Sequence, residues 1–406
     1  MKNGKKILVV GNSFALAKKM ASLVEKVYVA PGIELMSEFA ECIDIREDDV
    51  TGLLKFALEN NIDLTIATSE KAIRSDIASV FQANDKLIFA PTAQSASFAI
   101  NKSYGKRFLY KLHAPTPRFG IFEKLPLALD YLKNADYPLV VRCDMDDDSH
   151  DRLCCTNFSH AKVFTEELFS RGEDKVVIEE YAFGHEFTLY VVTDGYQAIP
   201  ITTVANFKFT EDGDGGLITS GVGAYVPDYK IPDDILRDVF NNVIVSALTS
   251  LQKKDIPYLG ILGVDVVLTS PDTYTVLEFK PFFKDFDAQA VLNVIDENLL
   301  EVFEACANGF FADEYDDLIT NDNCSVSCLV KSRLADKVIP NLELIDSEIS
   351  FIKSKRNKYF EYISDVGNNL VLTSCSKTLS RAKANLSEDL NLISFDGMRY
   401  RKDICN

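Results

Sequence analysis

Apolar and polar positions follow one pattern through roughly the first hundred residues and another beyond them. In the first stretch, short β-branched runs are separated by segments with helical spacing. Lys6 to Asn12 reads as a buried strand running into a turn, and Ala15 to Val24 as an amphipathic helix. Val27 to Gly32 reads as a second strand, Leu53 to Glu59 as a helix, Ile62 to Ala67 as a third strand and Lys86 to Pro91 as a fourth. Such alternation predicts a parallel sheet covered on both faces. Ligands of these sheets lie beyond the carboxyl ends of the strands, which places candidate contacts at Gly11, Asn12 and Ser13 and at Thr68, Ser69 and Glu70. A Gly-Asn turn is also ordinary turn chemistry.

From about Ser97 the pattern changes to longer helical stretches and hairpin-like strands. Leu139 to Cys143 and Lys175 to Tyr181 are apolar runs that end in polar or charged residues, and Phe187 to Gly195 reads as a strand entering a turn. Strands and helices are segregated here, which predicts α+β organisation. A polar break at Thr320 to Asn323 precedes a third region with strands at Cys324 to Val330, Lys358 to Ile363 and Asn369 to Ser374, and a helix around Ser376 to Leu390. The expected domains are 1–97, 98–320 with a smaller lobe at about 120–190, and 321–406, without internal repeats.

Charge narrows the partners. Lys plus Arg number 43 against 61 Asp plus Glu, a formal charge of −18, which argues against nucleic acid and anionic membranes as partners. No apolar run reaches the roughly 20 residues that span a bilayer, and the start of the chain lacks a signal-peptide core, so a cytoplasmic protein is expected. The nine cysteines show no CxxC spacing and are expected to be reduced thiols. Cys324 and Cys328 could share a turn but lack a second ligand pair, and four histidines leave few candidates for a His-centred triad.

Chemistry concentrates at Gly263 to Val267 and Tyr274 to Lys280. Two strands joined by the turn Ser270 to Thr273 would set Asp265 beside Glu278, and paired carboxylates can hold Mg²⁺ or Mn²⁺ through oxygen and bridge nucleotide phosphates. Acidic residues also end adjacent strands for purely structural reasons. Upstream, Lys102 opens a helix, Arg142 ends a strand, and Glu179, Glu180 and Tyr181 end another before Glu186. Cations for phosphate, partners for adenosine and a later acidic pair follow the order of an ATP-grasp nucleotide site.

Seven stretches then carry a specific resemblance: Val29 to Gly32, Phe89 to Thr92, Asn101 and Lys102 with Lys106, Val177 to Tyr181, Thr219 to Tyr225, Val276 to Phe279 and Arg401 to Ile404. In this order over the whole chain they resemble the glycinamide ribonucleotide synthetase (phosphoribosylamine-glycine ligase) family. The resemblance implies an ATP-grasp fold of α/β and α+β parts, with an N-terminal Rossmann-like parallel-sheet domain and a small C-terminal β-rich domain. It implies that Lys102 and Arg142 face the ATP phosphates, Glu179, Glu180 and the backbone of Tyr181 receive adenine, Glu186 the ribose, and Glu278 the Mg²⁺. Asp265 matches a second metal ligand of other ATP-grasp ligases. Gly221 and Gly223, expected in a loop from Gly213 to Tyr225, would bring backbone N–H groups to an acyl phosphate and the substrate. Gly11, Asn12 and Glu70 would contact a phosphoribosyl group. The implied reaction joins a small-molecule carboxylate to an amine at the expense of ATP, in a monomer or homodimer.

The chain departs from that family where chemistry occurs. Arg142 stands for Lys, Lys280 for an Asn metal ligand, Phe282 for an Arg and Lys284 for a Gly. Lys280 beside Glu278 would form an ion pair in the metal's place. A glycine-rich phosphate loop is replaced by Asp144, Asp146, Asp147, Asp148 and Asp151, and a Gly-Gly-Arg-Glu-His stretch by Ser13 to Leu16. The alternatives are therefore a ligase for another acid and amine, or a catalytically silent binding or scaffold protein. A nicotinamide oxidoreductase is disfavoured because no G-x-G-x-x-G follows the first strand.

Overall fold

The computed structural model describes residues 3–145 and 151–405. The N-terminal region runs β1 (Asn3–Val10), α1 (Phe14–Leu23), β2 (Val24–Ala30), β3 (Glu41–Cys42), α2 (Val50–Glu59), β4 (Leu64–Ala67), α3 (Glu70–Arg74), α4 (Ile77–Gln82) and β5 (Ile88–Phe89). Its strands form the expected parallel sheet in the order β3-β2-β1-β4-β5. Alternation along β1 sends Leu8 and Val10 to a core with α2 and α4, and Ile7 and Val9 to a second core on the other face. Val24, expected to end a helix, instead opens β2.

Two helices follow, α5 (Ala93–Ile100), capped by the Thr92 hydroxyl, and α6 (Lys102–Lys111). A small lobe then comprises β6 (Phe119–Phe122), α7 (Leu125–Asn134), β7 (Leu139–Cys143), β8 (Arg152–Cys155), α8 (Phe158–Ser170) and β9 (Val176–Glu180), its sheet ordered β6-β9-β7-β8.

The remainder builds one large antiparallel sheet. Its elements are β10 (His185–Thr193), β11 (Ala198–Glu211), β12 (Gly215–Val226), α9 (Asp233–Asp238), a π-helical turn at Val239–Val245, α10 (Ser246–Gln252), β13 (Gly260–Ser270), β14 (Thr273–Lys280), α11 (Asp285–Leu292), α12 (Leu299–Asn308), α13 (Phe311–Glu314), β15 (Cys324–Ser332), β16 (Glu348–Phe351), a β17 (Lys355–Arg356) and β18 (Tyr362–Ile363) ribbon, β19 (Gly367–Ser376), α14 (Leu379–Leu392) and β20 (Met398–Arg399). The order is β14-β13-β10-β11-β12-β15-β19-β16, with β20 on β15. The polar break at Thr320 to Asn323 is thus not a sheet boundary: β15 pairs with β12 from Gly223↔Cys328 to Val226↔Ser325. One apolar core joins Ile7 and Val9 of the first sheet, Phe286 and Val291 of α11, and Val326, Leu372 and Ile404 of the C-terminal region. No helix among the described residues is long and apolar enough to cross a membrane.

Candidate functional site

The site begins with a defect in the β13–β14 pair. Asp265 faces Glu278 in register, but Val266 faces Val276, so Leu277 is one residue too many. This bulge lets Val276 and Phe279 stay in the apolar layer with Val264 and Val266, while Glu278 and Lys280 share the opposite face with Asp265. Asp265 has no solvent exposure. Its Oδ1 accepts from the Thr188 hydroxyl at 2.6 Å and lies 2.9 Å from Lys280 Nζ; its Oδ2 lies 2.7 Å from Lys208 Nζ. Lys208 also pairs with Glu186. Burial pushes the Asp265 carboxyl up, but Lys208 and Lys280 outweigh it and hold the pKa below the usual carboxylate range. Glu186 is held above that range by burial, with Lys208 opposing.

Glu278 anchors a second group of cations. Its Oε2 lies 2.9 Å from Lys102 Nζ and 3.0 Å from Arg142 Nη2, and its Oε1 lies 3.9 Å from Arg152 Nη1. Lys102 is at the first turn of α6, and Arg142 and Arg152 are register partners on β7 and β8. Against burial, Arg142, Lys102 and Arg152 keep the Glu278 carboxyl well below its ordinary range. Glu179 pairs with Lys106 and lies 3.6 Å from Arg142 Nη1. Glu180 instead turns outward to Arg118 at 2.6 Å, and the Tyr181 N–H donates to the Pro138 carbonyl at 3.3 Å.

Two compartments meet at this cluster. A narrow cleft of about 50 Å³ between the small lobe and the large sheet is lined by Arg142, Glu179, Glu180, Tyr181, Glu186 and Lys208. A cavity of about 380 Å³ lies beyond it, at the carboxyl ends of β1 and β4, where Gly11, Asn12 and Glu70 line one wall and Lys102, Gly221 and Lys284 another. Arg152 and Glu278 line both. Glu70 opens α3 behind the Ser69 cap, and its Oε1 lies 2.5 Å from Lys284 Nζ. Burial raises the Glu70 carboxyl, yet Lys284 and Lys102 more than offset this and lower it.

Several expected contacts are placed differently. Gly221 and Gly223 lie within β12, not in a loop, because only Asp212 to Asp214 form a turn and the chain from Gly215 to Val226 is a strand hairpinned on β11. At Gly221 φ is +148° and a Cβ would come within 2.2 Å of the Phe286 ring, so glycine is required beside the cavity. Gly223 faces the C-terminal region instead: a Cβ there would meet Ile404 Cδ1 at 2.4 Å and the Ser327 carbonyl at 2.7 Å. Lys280 pairs with Asp265, where an ion pair with Glu278 was expected. In the acidic segment, Asp144 Oδ1 accepts from the Ser103 N–H at 2.7 Å and Asp151 pairs with Arg171 at 2.5 Å. Asp146, Asp147 and Asp148 lie outside the described residues.

The sequence marked neither Arg152 nor Lys208 as a site residue, and gave Lys106, part of the stretch with Asn101 and Lys102, no role. Arg152 is ten positions from Arg142 and becomes its neighbour only through hairpin register. Lys208 had a visible signal, a lone cation between Phe207 and Phe209 in an apolar strand. A buried lysine in that setting needs a carboxylate partner.

The residues present do not fit a divalent cation between Asp265 and Glu278. Mg²⁺ requires about six oxygen ligands, whereas the Asp265 Oδ1 is already taken by Thr188 and Lys280, and a protonated lysine offers no lone pair. At about 4 Å and an effective dielectric of about 20, each fixed ammonium would oppose a divalent ion by roughly 8 kcal/mol, cancelling the attraction of one carboxylate at the same distance. Among the described residues no three His, Cys, Asp or Glu side chains converge as a metal cluster.

A small antiparallel lobe set against a large antiparallel sheet, with lysine and arginine at the cleft between them, defines the ATP-grasp class. The phosphoribosylglycinamide synthetase N-domain model matches residues 5–98, and the ATP-grasp (A) domain model of the same synthetase matches residues 100–288. A phosphoribosylamine-glycine ligase of Caldanaerobacter subterraneus subsp. tengcongensis is 27% identical over 98% of this chain and 99% of its own. That of Allochromatium vinosum is 30% identical over 75% of this chain and 74% of its own. The chain belongs to the phosphoribosylglycinamide synthetase family. Among solved structures, phosphoribosylamine-glycine ligase from Thermotoga maritima superposes with a TM-score of 0.80 at 19% identity, covering 98% of this chain and 99% of that one. The biotin carboxylase domain of 2-oxoglutarate carboxylase from Hydrogenobacter thermophilus, in complex with MgADP, ADP and bicarbonate, gives 0.73 at 13% identity, covering 98% and 92%.

Proposed function

We propose that the chain is an ATP-dependent ligase that joins a small-molecule carboxylate to an amine, with adenosine in the cleft at Glu179, Glu180, Tyr181 and Glu186 and the acceptor in the cavity at Gly11, Asn12 and Glu70. The observation that carries this reading is that Arg152 and Glu278 line both compartments. A terminal phosphate drawn to Lys102, Arg142 and Arg152 would stand at the mouth of the cavity, in reach of a carboxylate bound there. A carboxylate oxygen attacks the γ-phosphorus, the bond to the β-phosphate oxygen breaks, and ADP leaves. The amine nitrogen then attacks the acyl carbon, phosphate leaves with the C–O electron pair, and the amine loses a proton. Lys102, Arg142 and Arg152 serve both steps by fixing phosphate oxygens and neutralising their charge, so no nucleophilic side chain is needed. The Gly221 backbone forms part of the cavity wall on the acceptor side. Magnesium finds no ligand set between Asp265 and Glu278, so this reading assigns phosphate neutralisation to side chains of the chain itself. The units that would do this are 1–97 for the acceptor, 98–320 for the nucleotide and 321–406 for the remaining wall.

Phosphoribosylamine and glycine, the substrates in the relatives' names, are the first pair to assay. The expected result is ADP release that requires both, measured with and without magnesium. ADP release with another acid and amine would reassign the substrates. A second reading, a nucleotide-binding protein without turnover, is favoured by the small cleft and by the engagement of Glu186 with Lys208 and of Glu70 with Lys284. Nucleotide binding without ADP release under any acid-amine pair would select it and overturn the ligase.

A further inference from the structure

Around the cleft, cations and carboxylates are tightly interleaved although the chain is strongly acidic. Lys102, Lys106, Arg142, Arg152, Lys208 and Lys280 face Glu179, Glu186, Asp265 and Glu278. Lys280 is the unusual member. It sits two residues from Glu278 on the same face, is 3% exposed, and directs its ammonium to Asp265 at 2.9 Å, to the Thr188 hydroxyl at 3.3 Å and over the Phe286 ring at 5.8 Å. With Lys208 at 2.7 Å on the other Asp265 oxygen, the acidic pair that could hold a metal is bracketed by fixed cations.

We infer that Lys280 and Lys208 replace the divalent cation here, so that the ligand of the cleft is a metal-free nucleoside di- or triphosphate. This rests on the nucleotide reading of the cleft proposed above. A metal-chelated nucleotide has surrendered part of its charge before it arrives and brings a divalent ion against the lysines. The free polyphosphate anion keeps its full charge and meets preorganised donors in a site of low dielectric. Divalent cations then act as competitors, because they withdraw free nucleotide from solution.

Calorimetric titration of the full chain with ATP and with ADP, in EDTA and in millimolar MgCl₂, tests this. The expected affinity in EDTA equals or exceeds that in magnesium. Lys280→Met should lower the EDTA affinity about tenfold or more, with no recovery on adding metal. Lys280→Asn, which supplies an oxygen beside Asp265 and Glu278, should lose the same affinity in EDTA and regain it with Mg²⁺ or Mn²⁺. Wild-type affinity that rises tenfold or more on adding magnesium overturns the inference while leaving the nucleotide site standing, and this comparison needs no variant to fold. No binding in either medium overturns the nucleotide site itself.

Discussion

At the residue scale, Asp287 shows how burial sets a pH dependence. It sits in the first turn of α11, where it accepts from the Lys284 N–H at 2.8 Å and from the Tyr190 hydroxyl at 2.8 Å. Burial lifts its pKa from 3.8 to about 6, against the lowering pull of Lys280 and those two bonds. The folded state therefore binds the proton more tightly than the unfolded state, and stability falls as pH rises from about 3.8 through about 6. Above that window the ionised carboxylate costs roughly 3 kcal/mol. Asp287→Asn keeps the shape and the acceptor for Lys284. Its melting temperature should exceed wild type at about pH 8, with the gain fading by about pH 5; parallel pH profiles for the two proteins would refute the assignment. Residues of this kind mark the limit of reading one sequence. Arg142 and Glu179 were legible because charge at the end of an apolar strand is conspicuous. Arg152 was hidden among acidic residues, and its partnership with Arg142 exists only in the register of β7 on β8.

At the element scale, the bulge at Leu277 turns an ordinary hairpin into a platform that presents Asp265, Glu278 and Lys280 on one face. Glu278 is a counter-charge shared by Lys102, Arg142 and Arg152, so Glu278→Gln removes one negative charge from three neighbouring cations in a nearly dry cleft. A loss of about 3–5 kcal/mol is expected, as for other broken buried pairs, and inorganic phosphate should restore much of it by taking the carboxylate's place. Denaturant unfolding with and without phosphate checks this. A variant as stable as wild type would mean that the cations are solvated and that Glu278 holds nothing together. The hairpin itself was visible in the sequence through the turn at Ser270 to Thr273. The glycines of β12 were not, since Gly213 to Tyr225 has the composition of a loop, and only pairing with β11 and β15 makes the part from Gly215 onward a strand.

At the scale of the whole molecule, three regions that the sequence divides share one interior. The parallel sheet was legible because each βα unit is local, but the pairing of β15 with β12 links residues about a hundred positions apart, and no local pattern encodes it. Ile404, unexposed, belongs to the same core as Ile7 and Val9 of β1, and its Cδ1 covers the space beside Gly223. Ile404→Ala removes packing worth about 2–5 kcal/mol. If the shared core makes the chain one cooperative unit, that loss reaches the N-terminal sheet: slow-exchanging amides of β1 and of β15 should lose protection by the same free energy, and calorimetry should show a single transition shifted down. Loss of protection confined to β12, β15 and α14, with β1 unchanged or a separate transition, would show instead that the parallel sheet folds on its own and that the cavity between it and the cationic cleft is an interface between independent units.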